Sequence, residues 1–311
     1  MIVLDSEQIR ARVSMPQLIE ALRNAFAREF QTPPRQLMKV PGGQGDRLLL
    51  SMPAFAPDGA ATIKLASVFP DNAARGIPTI HGAIVVFSAH GAPTAVLDGG
   101  MVTKLRTAAA SALASTYLSR ADSANLVIFG TGALAPYMAQ AHCAARPVRK
   151  IRVCGRNEAR VAETVASIRA LVGPADVQPA SSPQAAVADA DIVSCATSAE
   201  SPVVQGAWLK PGAFLDLVGS FSPHKRECDD DAVRRARLFV DTFEGAMSEA
   251  GDLLDPLERG IIRREQIEAE LADLVAGRTR GRTSPQEITL FKSVGTAIED
   301  MAAAQLIVGL G

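Results

Sequence analysis

Past residue 124 the chain settles into a rhythm of short apolar segments: NLVIFG, KIRVCG, DIVSCAT, AFLDLVG and RLFVD, with helix-forming sequence between several of them. Segments so short, apolar and largely β-branched are strands covered on both faces, and alternation with helices makes such strands parallel. This pattern predicts an α/β fold with a doubly wound sheet. The first third is built differently. SMPQLIEALRNAFAREF places Leu18, Leu22, Ala25, Phe26 and Phe30 at helical spacing, with Ser14 as N-cap and Pro16 in the first turn. Beyond Pro33, Pro34 and a turn over PGGQGD, the runs RLLLSMPAF, ATIKLASVF, HGAIVVFS and PTAVLDG are strand-like, and SAHGAP is a hairpin turn. A mostly antiparallel sheet is expected, followed by the Ala-rich helix VTKLRTAAASALASTYL. Near the end REQIEAELADLVAG has the pattern of an amphipathic helix. TAIEDMAAAQLIV closes the chain, with Thr296 and Glu299 spaced as a capping box. A length of 311 residues suits about two domains.

The strongest local motif is NLVIFGTGALAPYMAQAHCAA. Gly130-x-Gly132-x-x-Ala135 lies between a strand and a helix. Gly130 permits the tight turn, Gly132 lets backbone approach a pyrophosphate, and Ala135 allows close helix–sheet packing. A second strand ending about 20 residues on strengthens the expectation of a dinucleotide. That strand ends in Gly155, Arg156 and Asn157, where an acid would bind a ribose 2′-hydroxyl. With no acid to repel a 2′-phosphate and Arg156 to pair with it, NADP(H) is preferred and NAD(H) remains possible. No T-G-x-x-x-G-x-G or Y-x-x-x-K marks a short-chain dehydrogenase, and no G-K-[ST] follows the glycines as in a P-loop.

Other function classes fit poorly. The 32 basic and 33 acidic side chains balance, which argues against nucleic acid as a partner. RTRGR at 278–282 is the one dense basic run, and its pattern is that of a solvated loop. The amino terminus lacks the features of a signal peptide, and no apolar run reaches the roughly 20 residues needed to span a bilayer. Cys143, Cys154, Cys195 and Cys228 are scattered, as expected of reduced thiols in a cytoplasmic protein. The four histidines form no ligand pattern, so no metal is expected.

Three cations precede the glycine motif: Arg35 after two prolines, Lys64 inside ATIKLASVF, and Arg106 in line with Ala110, Leu113 and Tyr117. A charge on such an apolar face is costly unless an anion meets it. Converging, the three would clamp a carboxylate, arginine in bidentate fashion and lysine as a point charge.

Over nearly its whole length the chain resembles the ornithine cyclodeaminase/mu-crystallin family. The resemblance rests on PPRQLMKV, TIKLASVFPDN, VLDGGMVTKLRTAAASALAS, IFGTGALA, VGSFSPHKRE, VDTFEGAMSEAGD and TLFKSVGTAIEDMAAAQLI. It implies a substrate-binding and dimerisation domain over 1–119, mixed α+β and completed by 293–311, and a Rossmann domain over 120–292. It implies a homodimer formed through the first sheet, and hydride transfer at a carbon bearing nitrogen and a carboxylate. Carried over, Arg35, Lys64 and Arg106 hold the substrate carboxylate. Gly130, Gly132, Ala133 and Leu134 hold the pyrophosphate, and Arg156 and Asn157 the adenosine end. Thr197, Val218, Gly219, Ser220 and Ser293 line the cofactor, with His81 near its nicotinamide half.

One departure is informative. Ornithine cyclodeaminases carry an aspartate two residues after the glycine of VGSFSPHKRE, and here that place is Phe221. A phenyl ring can neither accept a proton nor hold an ammonium by charge. Asp71 is the nearby carboxylate considered as its substitute. The loop has the form of the mu-crystallin and imine reductase branch. The resemblance therefore implies reduction of a small cyclic imine carboxylate, with Lys64 as substrate ligand and proton relay. Ornithine cyclodeamination, amino-acid dehydrogenation and an NADPH-dependent binding protein are the alternatives.

Overall fold

The computed structural model describes residues 1–28, 30–42 and 47–309, apart from the side chain of Ala73. Most of the PGGQGD turn therefore lies outside the described residues. The chain divides into two compact units, Met1–Arg106 with Thr296–Gly311, and Thr107–Gly295. The first division falls within the helix Gly99–Leu118, whose C-terminal end is the 119/120 boundary assigned from sequence.

Unit 1 carries a six-stranded sheet. Its strands are β1 (Ile2–Leu4), β2 (Gln36–Lys39), β3 (Leu48–Phe55), β4 (Ala61–Val68), β5 (Ile80–Phe87) and β6 (Pro93–Asp98), in the order β1-β6-β5-β4-β3-β2. All pairs are antiparallel except the edge pair β1–β6. The SAHGAP turn forms as expected, with Ser88 N–H donating to Ala92 O and Gly91 at φ +78°. Neither β1 nor β2 was expected: both are short, and β2 is exposed throughout.

The first long helix, Met15–Phe26, buries Leu18, Leu22, Ala25 and Phe26 and opens with the Gln17 side chain accepting from Ser14. It ends at Ala27, so Phe30 lies beyond it; that side chain packs instead on Met52, Ala54, Ala297 and Met301. The last helix, Ala297–Val308, begins at Thr296, whose side chain makes no capping bond. The capping box expected of Thr296 and Glu299 does not form, because Glu299 is fully buried and ion-paired elsewhere.

Unit 2 holds eight strands, all parallel: β7 (Asn125–Phe129), β8 (Lys150–Cys154), β9 (Asp176–Pro179), β10 (Ile192–Cys195), β11 (Phe214–Leu217), β12 (Ala236–Val240), β13 (Ile267–Glu270) and β14 (Ile288–Lys292). Their order is β13-β12-β14-β11-β10-β7-β8-β9. The winding reverses between β7 and β10, which makes this a Rossmann-type sheet. Phe214, Phe239 and Phe291 fill its core completely buried.

REQIEAELADLVAG is not one helix. A short 3₁₀ turn leads into β13 and then the helix Leu271–Val275. Ile267 and Ala269 are buried and Glu268 exposed, so alternation and pairing with β12 win over helical periodicity. RTRGR is not wholly solvated either. Arg282 turns inward to donate to Leu118 O, Ala213 O and Thr289 Oγ1, and burial lowers its pKa to about 10. No helix among the described residues is long and apolar enough to cross a membrane.

The polar centre of unit 2 is Asp216 on β11. Its carboxylate accepts from Ser111 Oγ (2.9 Å) and Ser194 Oγ (2.8 Å), and lies 3.1 Å from His142 Nε2, with all four residues fully buried. Asp216→Ala would strand three buried polar groups. It should lower the unfolding free energy by about 3 kcal/mol, read from urea denaturation.

Candidate active site

In a parallel sheet every strand delivers its carboxyl end to the same edge, and ligands bind where the winding reverses. The residues at that edge follow β8, β7, β10, β11 and β14. They include all the cofactor positions expected from sequence except His81. After β7, Gly130 adopts φ +115°, and a Cβ there would lie 2.4 Å from Ala196 O. The turn thus needs glycine, and it presses against the turn after β10. A Cβ at Gly132 would meet nothing within 4 Å. Gly132 and Ala133 are exposed, and no side chain caps the helix Ala135–Ala145 behind Leu134. Open backbone at an uncapped helix start fits a pyrophosphate. After β8, Arg156 is exposed with no acid beside it in sequence, while Asn157 Oδ1 caps the next helix by accepting from Arg160 N–H at 3.0 Å.

The turns after β10 and β11 are in contact. A Cβ on Gly219 would lie 2.2 Å from both the N and the O of Thr197. Three hydroxyls expected to line the cofactor are committed within the protein. Thr197 Oγ1 donates to Glu227, Ser220 Oγ to Lys225 O (2.6 Å), and Ser293 Oγ to Asp241 (3.1 Å). Val218 is buried, its N–H bonded to Cys195 O. These positions therefore offer backbone and smallness. Phe221, next in the loop, is about half exposed at 49%.

In unit 1, Lys64 sits on β4 opposite Met52 and Ile84, on the sheet side that also carries Ala54. Only 4% of it is exposed. Its Nζ lies 2.7 Å from Asp300 Oδ2. Arg106 Nε meets Asp300 Oδ1 at 3.1 Å, and its Nη1 meets Glu299 at 2.5 Å. Burial, above all, lowers the Lys64 pKa to about 8; Asp300 opposes this, and the charges of Arg106 and Arg35 add to it. The charges of all three expected cations thus act on one another, and Lys64 and Arg106 meet two carboxylates.

Not every expectation converges there. His81 is exposed and pairs with Ser67, on the side of the sheet opposite Lys64 by strand alternation. Asp71 is bound to Arg47, which lowers its pKa and takes it out of contention as a stand-in for the aspartate absent at Phe221.

Sequence reasoning missed Glu299, Asp300 and Glu227. Adjacent acids inside the apolar run TAIEDMAAAQLIV carried the same signal as Lys64 in its strand, and so did Lys292 in ITLFKSV. The four cysteines are free, and burial pushes the thiol of Cys143 up to about 11 and that of Cys154 to about 12, far from nucleophilic. Among the described residues no three His, Cys, Asp or Glu side chains gather to hold a metal.

Comparison with known proteins places this geometry. The family model for the ornithine cyclodeaminase/mu-crystallin family matches residues 1–309. A Δ1-pyrroline-2-carboxylate reductase of Colwellia psychrerythraea is 36% identical over 310 residues, 98% of each chain. The structure of the Thermococcus litoralis Δ1-pyrroline-2-carboxylate reductase in complex with NADH and L-proline superposes with a TM-score of 0.94. It is 34% identical and covers 100% of this chain and 97% of its own. An archaeal alanine dehydrogenase dimer with bound NAD has a TM-score of 0.89 at 29% identity, covering 99% and 95%. With the family model matching essentially end to end, the chain belongs to the ornithine cyclodeaminase/mu-crystallin family.

Proposed function

We propose that the protein is an NAD(P)H-dependent reductase of a small cyclic imine carboxylate, Δ1-pyrroline-2-carboxylate or its six-membered homologue, producing the cyclic amino acid. The observation that carries this reading is the buried cluster in which Lys64 and Arg106 meet Asp300 and Glu299, two cations balanced against two carboxylates out of water. Together with Arg35 it suits a substrate carboxylate. Bound at the turns of unit 2, a reduced nicotinamide supplies the hydride. The C=N carbon gains that hydride, the π electrons pass to nitrogen, and nitrogen needs a proton unless the imine arrives protonated. Lys64, lowered to about 8 and held by Asp300, is mostly ammonium at neutral pH and is the donor within this cluster. The same reaction is supported by the relatives that are Δ1-pyrroline-2-carboxylate reductases.

NADP(H) is the preferred cofactor on this reading, because Arg156 is exposed where an acid would select NAD(H). Met38, Phe55 and Leu65 are exposed on the side of the unit 1 sheet opposite Lys64 and suit a second copy of the chain. Free thiols suit a reducing, cytoplasmic setting.

The test is a panel of NADPH and NADH oxidation assays over both cyclic imines and over 2-keto acids with amines. Ornithine with NAD serves as the counter-substrate. Oxidation with a cyclic imine is expected; release of ammonia and proline from ornithine would favour the cyclodeaminase instead. Tight NADPH binding with no turnover would favour a binding protein. Lys64→Met should lower kcat/KM at least about 100-fold. For the wild type, kcat/KM should fall as pH rises through about 8, where Lys64 loses its proton.

Arg156→Asp should raise the KM for NADPH at least about tenfold while changing that for NADH little, since it sets a negative charge against a 2′-phosphate. Equal effects on the two cofactors would remove the basis for the preference.

A further inference from the structure

The loop after β11, VGSFSPHKRE, ends in a glutamate that the proposed chemistry does not use. Glu227 is fully buried and points back under the turns it follows. One carboxylate oxygen accepts from Thr197 N–H and Thr197 Oγ1, both at 2.8 Å, and the other accepts from Gly219 N–H at 2.8 Å. A single side chain thus bridges the turn after β10 to the turn after β11. Beneath it, Asp252 Oδ1 accepts from Glu227 N–H at 2.7 Å, and Asp252 Oδ2 lies 3.1 Å from Lys292 Nζ, with both residues fully buried. Asp252 anchors the glutamate's backbone, and Lys292 lends positive charge.

The place of this bridge on the sheet gives it a role. The glycine turn after β7 suits the pyrophosphate, and Arg156 after β8 marks the adenosine side. A dinucleotide that crosses the reversal between β7 and β10 must lay its other half over the turns after β10, β11 and β14. Those turns offer backbone at close quarters, so their spacing is what a ring would recognise.

We propose that Glu227 is a positioning residue for the nicotinamide half of the cofactor, its carboxylate holding the turns at Thr197 and Gly219 at the separation that half requires. The inference rests on the reading of unit 2 as the cofactor's site. Its chemistry needs an acceptor at both oxygens, which only the ionised carboxylate supplies. Facing it are Lys292 of β14, Asp252 of the helix Gly251–Glu258 and the thiol of Cys195 at the end of β10. Cys228 follows it in the chain, and Arg226 before it is paired with Asp230 and Asp255. Burial, above all, lifts the carboxyl to about 7; Lys292 opposes the rise and Asp252 adds to it.

The test compares wild type with Glu227→Gln. Glutamine keeps the shape but replaces one acceptor with an NH₂ that cannot accept from backbone N–H. It leaves Lys292 and Asp252 as a neutral pair, so the fold should persist by circular dichroism and thermal melting. Calorimetry should give ADP-ribose affinity within about twofold of wild type, while NADH and NADPH bind at least about tenfold more weakly. With Δ1-pyrroline-2-carboxylate as substrate, kcat should drop at least about tenfold. Wild-type affinity for the whole cofactor, and not for ADP-ribose, should weaken as pH falls through about 7, and the variant should lose that dependence. Equal weakening of ADP-ribose and NADPH would make Glu227 a general structural support and overturn the proposal. So would unchanged cofactor affinity and kcat. Should the glutamine variant not fold, Glu227→Asp, one methylene too short to reach both turns, is read by the same criteria. A wild type that binds NADPH but reduces no imine would sink the reductase reading and still let the affinity comparison decide this one.

Discussion

Eight strands running in one direction are the constraint on which unit 2 depends. Parallel pairing sends the turns after β7, β8, β10, β11 and β14 to one edge, and reversal of winding between β7 and β10 opens the crevice there. Apolar strands such as NLVIF and FLDL make that arrangement stable, yet they put no chemistry at the edge themselves. The chemistry comes from what the turns leave bare: a glycine at φ +115°, an uncapped helix start, and N–H groups held in place from below.

Both units solve the problem of buried charge in the same way. A lone ammonium or guanidinium taken out of water is severely penalised, and partnering with a carboxylate is what makes it tolerable. In unit 1 Lys64 and Arg106 meet Asp300 and Glu299; in unit 2 Lys292 meets Asp252, with Glu227 alongside. The outcome differs in balance. The first cluster sets two cations against two carboxylates, and burial, above all, lowers its lysine to a pKa of about 8. The second holds two carboxylates against one lysine. Asp252 and Glu227 outweigh burial and hold the Lys292 pKa above its ordinary value, so that lysine stays an ammonium.

Much of this was legible from sequence because it is local. Apolar runs between turn residues mark strands, and Gly130-x-Gly132-x-x-Ala135 marks its own turn. Cations stranded in apolar segments announce a need for partners. What could not be read is who the partners are. Glu299 looked like a helix cap because its spacing from Thr296 is right for one, whereas a contact with Arg106, 193 positions away, claims it. REQIEAELADLV satisfies a helical pattern until β12 offers Ile267 and Ala269 a buried edge. Asp71 seemed available as a carboxylate until folding set Arg47 against it. In each case tertiary pairing overrode a local preference that was itself sound.

Unit 1 is made from two separated pieces of chain, and its cluster is divided between them. Lys64 and Arg106 belong to the first piece, Glu299 and Asp300 to the last, with all of unit 2 between. A ribosome therefore delivers both cations long before either anion. Until the final helix emerges, the interior of unit 1 holds charge without its counter-charge and cannot close at equilibrium. Unit 2, continuous from Thr107 to Gly295, faces no such wait. Vectorial synthesis thus orders maturation: the parallel sheet can consolidate first, and the buried charge cluster of unit 1 is the last part to assemble.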